Sequence, residues 1–489
     1  MILTELRRLH IACKVTAMTT EFPAFNHRSN IKKRFVNLVD AIPSKRAEAF
    51  GKLVKVTGET LEVSGLRAGI GARCSIERKG KPPLKAEVIG FDGDRLILAC
   101  EELVGGVSPG AFVTVVEGSN QIEVGDALLG RVLDGAGKPF NGKPVFPVEA
   151  YPLRGRPLNP LDRNAIGQPI DTGVRAINSL LTLGRGQRVG LFAGSGVGKS
   201  TLLGMITRFS AADVVVVCLV GERGREVKEF VEESLGEEGL KRAVVIATPA
   251  DTSPLLRVSG CWRATAVAEY YRSRGLNVLL LMDSLTRFAQ AQRELSLSAG
   301  EPPVSKGYTP SVFSSIPNLI ERAGILGSGS ITAIYTVLVE GDDLQDPISD
   351  LARASLDGHI VLSRDIADQG TYPAIDVEKS ISRSMLNITE KEHQANAKVF
   401  RKLYVTHEQN KDLISLGAYR TGTDKKIDLA ISFKQRMSDF LSQPIDHASN
   451  IDTDIAALKE LSDEISLELY GSGNVTTDGS DGNSSVREG

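Results

Sequence analysis

One tryptophan, five cysteines and an aromatic content of 5% in 489 residues leave little room for disulfide scaffolding or aromatic binding platforms. Cys13, Cys74, Cys100, Cys218 and Cys261 are scattered without CxxC spacing, which excludes the common zinc and redox motifs and fits reduced thiols in a cytoplasmic setting. Cys218, inside an apolar run, should behave as a small hydrophobe. No stretch approaches the roughly 18 consecutive apolar residues that cross a bilayer. Arg7, Arg8 and Lys14 interrupt the amino terminus where a signal peptide would need its apolar core, so any membrane contact is expected to be indirect. An excess of positive charge is also missing: 58 Lys plus Arg face 60 Asp plus Glu, a net −2, so nucleic acid is not an expected partner. Nothing before Met18 has a recognisable role, which makes Met18 a candidate start of translation.

What the chain does have is 42% apolar content, enough for several cores, and a length that suits about three domains at roughly 150 residues each. An extension at 1–46 is followed by short alternating runs such as Leu53-Val54-Lys55-Val56 and Thr60-Leu61-Glu62-Val63, with turns at Gly58-Glu59 and Asp92-Gly93-Asp94. These predict a small antiparallel barrel or sandwich over 47–120. The passage Gly135 to Pro169 is too rich in proline and glycine for a continuous helix or a central strand, and reads as a linker into the next domain.

Near-continuous apolar runs then alternate with helical segments: Val189–Phe192, Val214–Val220, Val244–Ala247, Val278–Met282 and Ile331–Val339. Such runs are the mark of strands buried on both faces of a parallel sheet, placing an α/β domain at 121–383. Three helices are expected after it, within 384–470, at Lys391–Leu416, Ile427–Leu441 and Ile451–Leu469. In the last, Ile451, Ile455, Leu458, Ile465 and Leu469 form one apolar stripe, read as core packing. Residues 471–489, almost without apolar side chains, should be a disordered tail.

The chemistry starts after the first of the buried strands. Ala193-Gly194-Ser195-Gly196-Val197-Gly198-Lys199-Ser200 follows that strand and opens a helix at Thr201, which is a Walker A loop in its required setting. Its glycines let successive N–H groups and the helix N-terminus face phosphate oxygens. Lys199 supplies a mobile charge for the β- and γ-phosphates, and the Ser200 hydroxyl is placed to ligate Mg²⁺. Ala193 departs from the strict pattern, which has glycine there.

Ligands of an open parallel sheet sit beyond the carboxyl ends of its strands, so a polar residue directly after a buried run is a candidate for chemistry. Asp283, after Leu280-Leu281-Met282, has the Walker B form suited to the Mg²⁺ hydration shell; its bland alternative is a helix N-cap. Glu222, after Leu219-Val220-Gly221, is the candidate general base for an in-line water; its bland alternative is an ion pair with Arg223 or Arg225. Arg383, in Ile381-Ser382-Arg383, reads by itself as a surface arginine.

Gly221-Glu222-Arg223-Gly224-Arg225-Glu226-Val227 together with Asp283-Ser284-Leu285-Thr286-Arg287 resembles the type III export ATPases, relatives of the catalytic subunit of rotary ATP synthases. The likeness runs from about Gly51 to Pro444, through Gly300-Glu301-Pro302-Pro303, Tyr308-Thr309-Pro310-Ser311, Val339-Glu340-Gly341-Asp342-Asp343 and Leu356-Asp357-Gly358-His359. Ala193 at the head of the loop is normal for the export branch. The resemblance implies a RecA-like P-loop core with an N-terminal β-barrel and a helical C-terminal domain, assembled as a homohexamer that hydrolyses ATP with Mg²⁺. It implies that Gly194, Ser195, Gly196, Val197, Gly198, Lys199, Ser200 and Thr201 hold the phosphates, with Ser200 and Asp283 on the metal. Glu222 would be the catalytic glutamate, Arg223 an assistant at the phosphate end and Arg383 an arginine finger for the neighbouring site. Tyr372 would stack on adenine, with Gln443 and Pro444 on the opposite wall.

Implied partners are a stator-like regulator at the N-terminus, a stalk protein in the ring, the export gate, chaperones and export substrates, at the cytoplasmic face of the inner membrane. Asp346-Pro347-Ile348 and Ser380-Ile381-Ser382-Arg383 look more like the flagellar than the injectisome branch. A rotary ATP synthase subunit and an RNA-translocating RecA ring are the rivals, the second disfavoured because the barrel offers only scattered Phe50, Phe91 and Phe112 for base stacking.

Overall fold

Side-chain alternation builds the first domain. In the computed structural model, which describes residues 49–116, 120–140, 146, 149–155, 159–339 and 346–470, the strands β1 (Phe50–Thr57), β2 (Thr60–Ser64), β3 (Arg73–Ile76), β4 (Leu84–Asp92), β5 (Arg95–Cys100) and β6 (Phe112–Val115) close a barrel in the order β1-β2-β5-β4-β3-β6. The extension at 1–46 with Cys13 and Met18, the tail at 471–489 and the segment Glu340-Gly341-Asp342-Asp343 lie outside the described residues. Alternate side chains along most of these strands, including Leu61, Val63, Ile76, Leu84, Val88, Leu98 and Val113, are buried in the barrel interior. Antiparallel pairing of β1 with β6 joins the ends, so the barrel alternative is the one realised. Phe50 and Phe112 are not scattered: their rings meet edge to face at 4.8 Å on the outer surface.

The proline-rich passage corrects one expectation. Its described residues form neither long helix nor central strand, as proline requires, but they pair into the fold rather than only linking one domain to the next. After β7 (Gln121–Val124) and β8 (Arg131–Leu133), β9 (Glu149–Pro152) pairs back onto β7, and β10 (Arg163–Asn164) pairs with a later edge strand.

The central sheet holds β11 (Arg188–Ala193), β12 (Val214–Val220), β13 (Ala243–Thr248), β14 (Asn277–Asp283), β15 (Gly324–Leu326), β16 (Gly329–Leu338), β17 (Gly358–Leu362) and β18 (Ile375–Ser382). Its main order is β18-β17-β11-β16-β14-β12-β13-β8, parallel except for β18 against β17. Both faces are covered: Val214, Val216, Cys218 and Val220 of β12 enter one core, while Val215, Val217 and Leu219 enter the other, which is why this run shows no alternation. Helices α1 (Arg175–Leu180), α2 (Lys199–Phe209), α3 (Pro254–Ser273) and α4 (Leu285–Ser298) flank the sheet, and α5 (Lys391–Ser415), α6 (Lys425–Leu441) and α7 (Ile451–Tyr470) follow it. Leu458, Leu461 and Ile465 of α7 are buried in the second core, so its apolar stripe is packing.

A buried ion pair fastens the passage after β9 to α3. Arg322 donates to Glu269 through Nε at 2.8 Å and Nη2 at 2.6 Å and to the Leu153 carbonyl at 3.0 Å, while Arg154 lies over the Trp262 ring. Glu269 is 3% exposed and Arg322 8%, so removing one partner strands the other charge away from water. Glu269→Ala should therefore lose about 3–5 kcal/mol of unfolding free energy. Urea denaturation checks this, and a loss below about 1 kcal/mol would mean the pair behaves as a solvated one.

Candidate active site

The parallel sheet brings the carboxyl ends of β11, β12 and β14 to one edge, and the residues that follow each strand meet there. Ala193 is the last residue of β11, 1% exposed and paired with Leu338, so its methyl fills core and no glycine is needed. The tight turn comes later: Gly196 and Gly198 adopt left-handed φ values of 80° and 86°, and α2 begins directly at Lys199. Strand β12 is followed directly by Gly221, φ 66°, where a Cβ would press on the Arg287 side chain at 3.1 Å. That approach lets the chain turn and present Glu222.

Lys199 Nζ donates to Asp283 at 2.6 and 2.7 Å and to Glu222 at 3.1 Å. Burial alone would lower its pKa, but the Asp283 and Glu222 charges overcome this and hold the ammonium above the usual lysine value. Burial raises the Glu222 carboxyl above the ordinary glutamate value; Lys199 opposes this in part and a hydrogen bond with Glu226 reinforces it. Neither bland alternative describes the geometry. Arg223 pairs with Glu226 at 3.7 Å and Arg225 with Glu229 at 2.6 Å, leaving Glu222 to Lys199. The N-cap of α4 is Ser284, which accepts from Arg287 N, so Asp283 is not the cap.

A cavity of about 720 Å³ opens over the loop, lined by Gly194 to Thr201 except Val197, by Glu222, Arg223 and Glu226, and by Arg287 and Arg364. Val197 is buried beneath the loop. Tyr372 packs its ring about 3.4 Å from the position of a Cβ on Gly198 and remains 43% exposed. The backbone of Gln443 donates to the Tyr372 carbonyl at 2.8 Å, which brings those two together beside exposed Pro444. The Gln443 side chain is committed elsewhere: Oε1 accepts from Arg175 N, and Nε2 donates to the carbonyls of Gly173 and His447. Both donors of the Gln443 amide are thus spent inside the fold, and Gln443 does not line the cavity.

Arg383 is not among the residues lining this cavity. Because β18 runs antiparallel to β17, Ser382 pairs with Gly358 at the start of β17, and Arg383 N donates to Asp357. Arg383 therefore lies at the edge of the sheet opposite its own phosphate loop, exposed, with its guanidinium 3.5 Å from the Arg353 carbonyl.

Two cavity arginines escaped the reading of the sequence. Arg287 stands one turn after Asp283 on α4, a spacing that could have flagged it; its buried Nε has no hydrogen-bond partner. Arg364 donates to the Ser195 carbonyl at 3.1 Å and carries no local signal beyond its place after the β17 run.

Residues 173–382 match the nucleotide-binding domain of the ATP synthase alpha/beta family, and residues 389–460 match the C-terminal domain of the type III secretion ATPase EscN. The chain is 53% identical to the flagellum-specific ATP synthase of Pseudomonas aeruginosa over 84% of this chain and 92% of that one. It is 52% identical to that of Salmonella typhimurium over 87% and 97%. The assembled ATPase EscN from the enteropathogenic E. coli type III secretion system superposes with a TM-score of 0.80 at 43% identity, covering 84% of this chain and all of that one. With about half its residues shared across nearly the whole length of such relatives, the chain belongs to the flagellum-specific and type III secretion ATPases, a branch of the ATP synthase alpha/beta family.

Proposed function

We propose that this ATPase works as a homohexameric ring in which each nucleotide is held by one subunit and completed by the next, and that hydrolysis energises protein export through the flagellar apparatus. The observation that carries the reading is the separation within one subunit: Lys199, Glu222 and Asp283 converge at one edge of the sheet while Arg383 sits at the other. Such a subunit is half of two sites. EscN has been described assembled and in complex with its central stalk EscO, which supports a ring with a stalk protein here. The N-terminal stator-like regulator, export gate, chaperones and cargo are inferred from kinship alone.

The loop amides and the start of α2 bind the phosphates, and Lys199 transfers from the two carboxylates to the β- and γ-oxygens. Its departure leaves Glu222 to orient the attacking water and accept its proton. Arg287, with its unpartnered Nε, offers a further charge to the phosphates. The donor set fits Mg²⁺: among the described residues no group of three acidic or histidine side chains forms a cage, but the Ser200 hydroxyl and the Asp283 carboxylate beside a phosphate loop suit an ion that keeps much of its water. Bound there, Mg²⁺ would neutralise charge on the transferred phosphoryl group.

The flagellar reading is supported by flagellum-specific relatives at 53% and 52% identity, while the Xanthomonas euvesicatoria type 3 secretion system ATPase and the flagellum-specific ATP synthase of Bacillus subtilis both stand at 46%. Among the described residues no helix is long and apolar enough to cross a membrane; a place at the inner face through partners is inferred from kinship alone. The shared site predicts that ATPase activity per milligram rises with protein concentration as rings assemble. Turnover at full rate by a species that sedimentation shows to be monomeric would refute it.

A further inference from the structure

Strand β16 lies between the strand that feeds the phosphate loop and the strand that ends on Asp283. The register sets Met282 beside Tyr335, so the next residues along, Asp283 and Thr336, are neighbours at the carboxyl edge. Thr336 is fully buried, and its hydroxyl donates to Asp283 Oδ1 at 2.6 Å. Two residues on, Leu338 N donates at 2.9 Å to the hydroxyl of Thr286, in the first turn of α4. The end of β16 is therefore pinned to the Asp283–Thr286 segment at two points, one of which is the carboxylate itself.

A threonine in a central strand is ordinarily explained by its branched side chain, and valine would serve that purpose equally. The hydroxyl needs a different account: of its two acceptors the Met282 carbonyl is at 3.4 Å, while Asp283 Oδ1 is at 2.6 Å, a charged oxygen that is also within 2.6 Å of Lys199 Nζ. When Lys199 moves to nucleotide, Asp283 loses two of its three side-chain hydrogen bonds and keeps the one from Thr336. A carboxylate in a buried site with no restraint would be free to rotate about its last torsion, which is broad and roughly two-fold.

We propose that Thr336 is a positioning residue for the magnesium-side carboxylate. Its hydroxyl engages Oδ1 and holds the carboxylate in one orientation once Lys199 has left, leaving Oδ2, which it does not touch, as the oxygen that would meet the water shell of a bound metal. The inference rests on the ATPase reading of Asp283 and adds to it a residue outside the cavity. Hydrogen-bond partners of metal-side groups commonly change metal affinity or activity by 10–100-fold when removed.

The test uses the full-length protein as wild type, Thr336→Val and Thr336→Ser. Val keeps the shape and removes the donor; Ser keeps the donor. For T336V the Mg²⁺ concentration giving half-maximal ATPase activity should rise about 10-fold or more. Calorimetric titration with ADP should show the same loss in Mg²⁺ and no loss in EDTA, with the thermal midpoint close to wild type. T336S should restore both. If T336V does not accumulate in folded form, Thr336→Ala carries the same comparison. The proposal is overturned if T336V keeps the wild-type Mg²⁺ dependence, if ADP binding weakens equally with and without Mg²⁺, or if T336S is as impaired as T336V. A wild-type protein without ATPase activity would instead overturn the reading of the site itself.

Discussion

Arg383→Ala is expected to bind nucleotide like the parent protein and to hydrolyse it about 10³–10⁵ times more slowly, the range an arginine finger contributes. Strand direction makes the case. Tyr372 precedes β18 and packs against Gly198 of the loop, while Arg383 follows β18, which at ~3.3 Å per residue puts roughly 25 Å between them. One antiparallel strand thus carries a tyrosine packed on the phosphate loop at one end and an exposed guanidinium, held by the Arg353 carbonyl at 3.5 Å, at the other. No side-chain rotation spans that distance, so any phosphate contact by Arg383 must be to another subunit. A mixing experiment separates this from a folding defect. R383A and Lys199→Ala should each be inactive alone, yet rings assembled from both should recover activity, because a subunit with an intact loop can sit beside one with an intact finger. Near-wild-type turnover by R383A, or no recovery on mixing, would remove Arg383 from the reaction.

Much of this arrangement was legible in the sequence, for reasons that differ by element. The run Val214–Val220 declared itself because both faces of β12 are buried, and the three C-terminal helices because each has a stripe facing a core. Glu222 and Asp283 were legible because a parallel sheet places whatever follows its strands at one edge. β17 and β18 were harder. Five and eight residues long, they include polar positions that dilute the apolar signal: His359, half-buried with its ring against Phe192, and the exposed Glu378 and Lys379 of the edge strand. The passage around Pro152 reads as a linker because its strands are two to four residues long and its anchoring comes from Arg322 on the Leu153 carbonyl and from Arg154 on the Trp262 ring, contacts with distant residues that no local pattern announces. Arg383 depended on resemblance alone, since its location is set by strand direction and the role proposed for it lies in a second subunit. Arg364 and Thr336 depend on which strands become neighbours, and that order appears only in the folded sheet.

Glu222→Gln should retain nucleotide binding and lose about 10²–10⁴ in turnover, the contribution of a positioned general base. Glutamine preserves size and can still accept a hydrogen bond from Lys199, so the resting contact at 3.1 Å survives in weakened form while proton acceptance does not. The pH profile supplies the sharper criterion. In the resting site burial raises the Glu222 carboxyl and Lys199 partly restores it; once Lys199 turns to the phosphates, that counterweight weakens and burial dominates. Since only the ionised carboxylate accepts a proton, wild-type kcat should fall on acidification at a pH above the ~4.3 of an ordinary glutamate. The residual rate of E222Q should lack that acidic limb, because the group that titrates is gone. Measuring kcat against pH for both proteins decides the matter. An E222Q protein that hydrolyses at the parental rate, or keeps the same acidic limb, would transfer the base to another side chain at this edge of the sheet, with Glu226 the nearest in line.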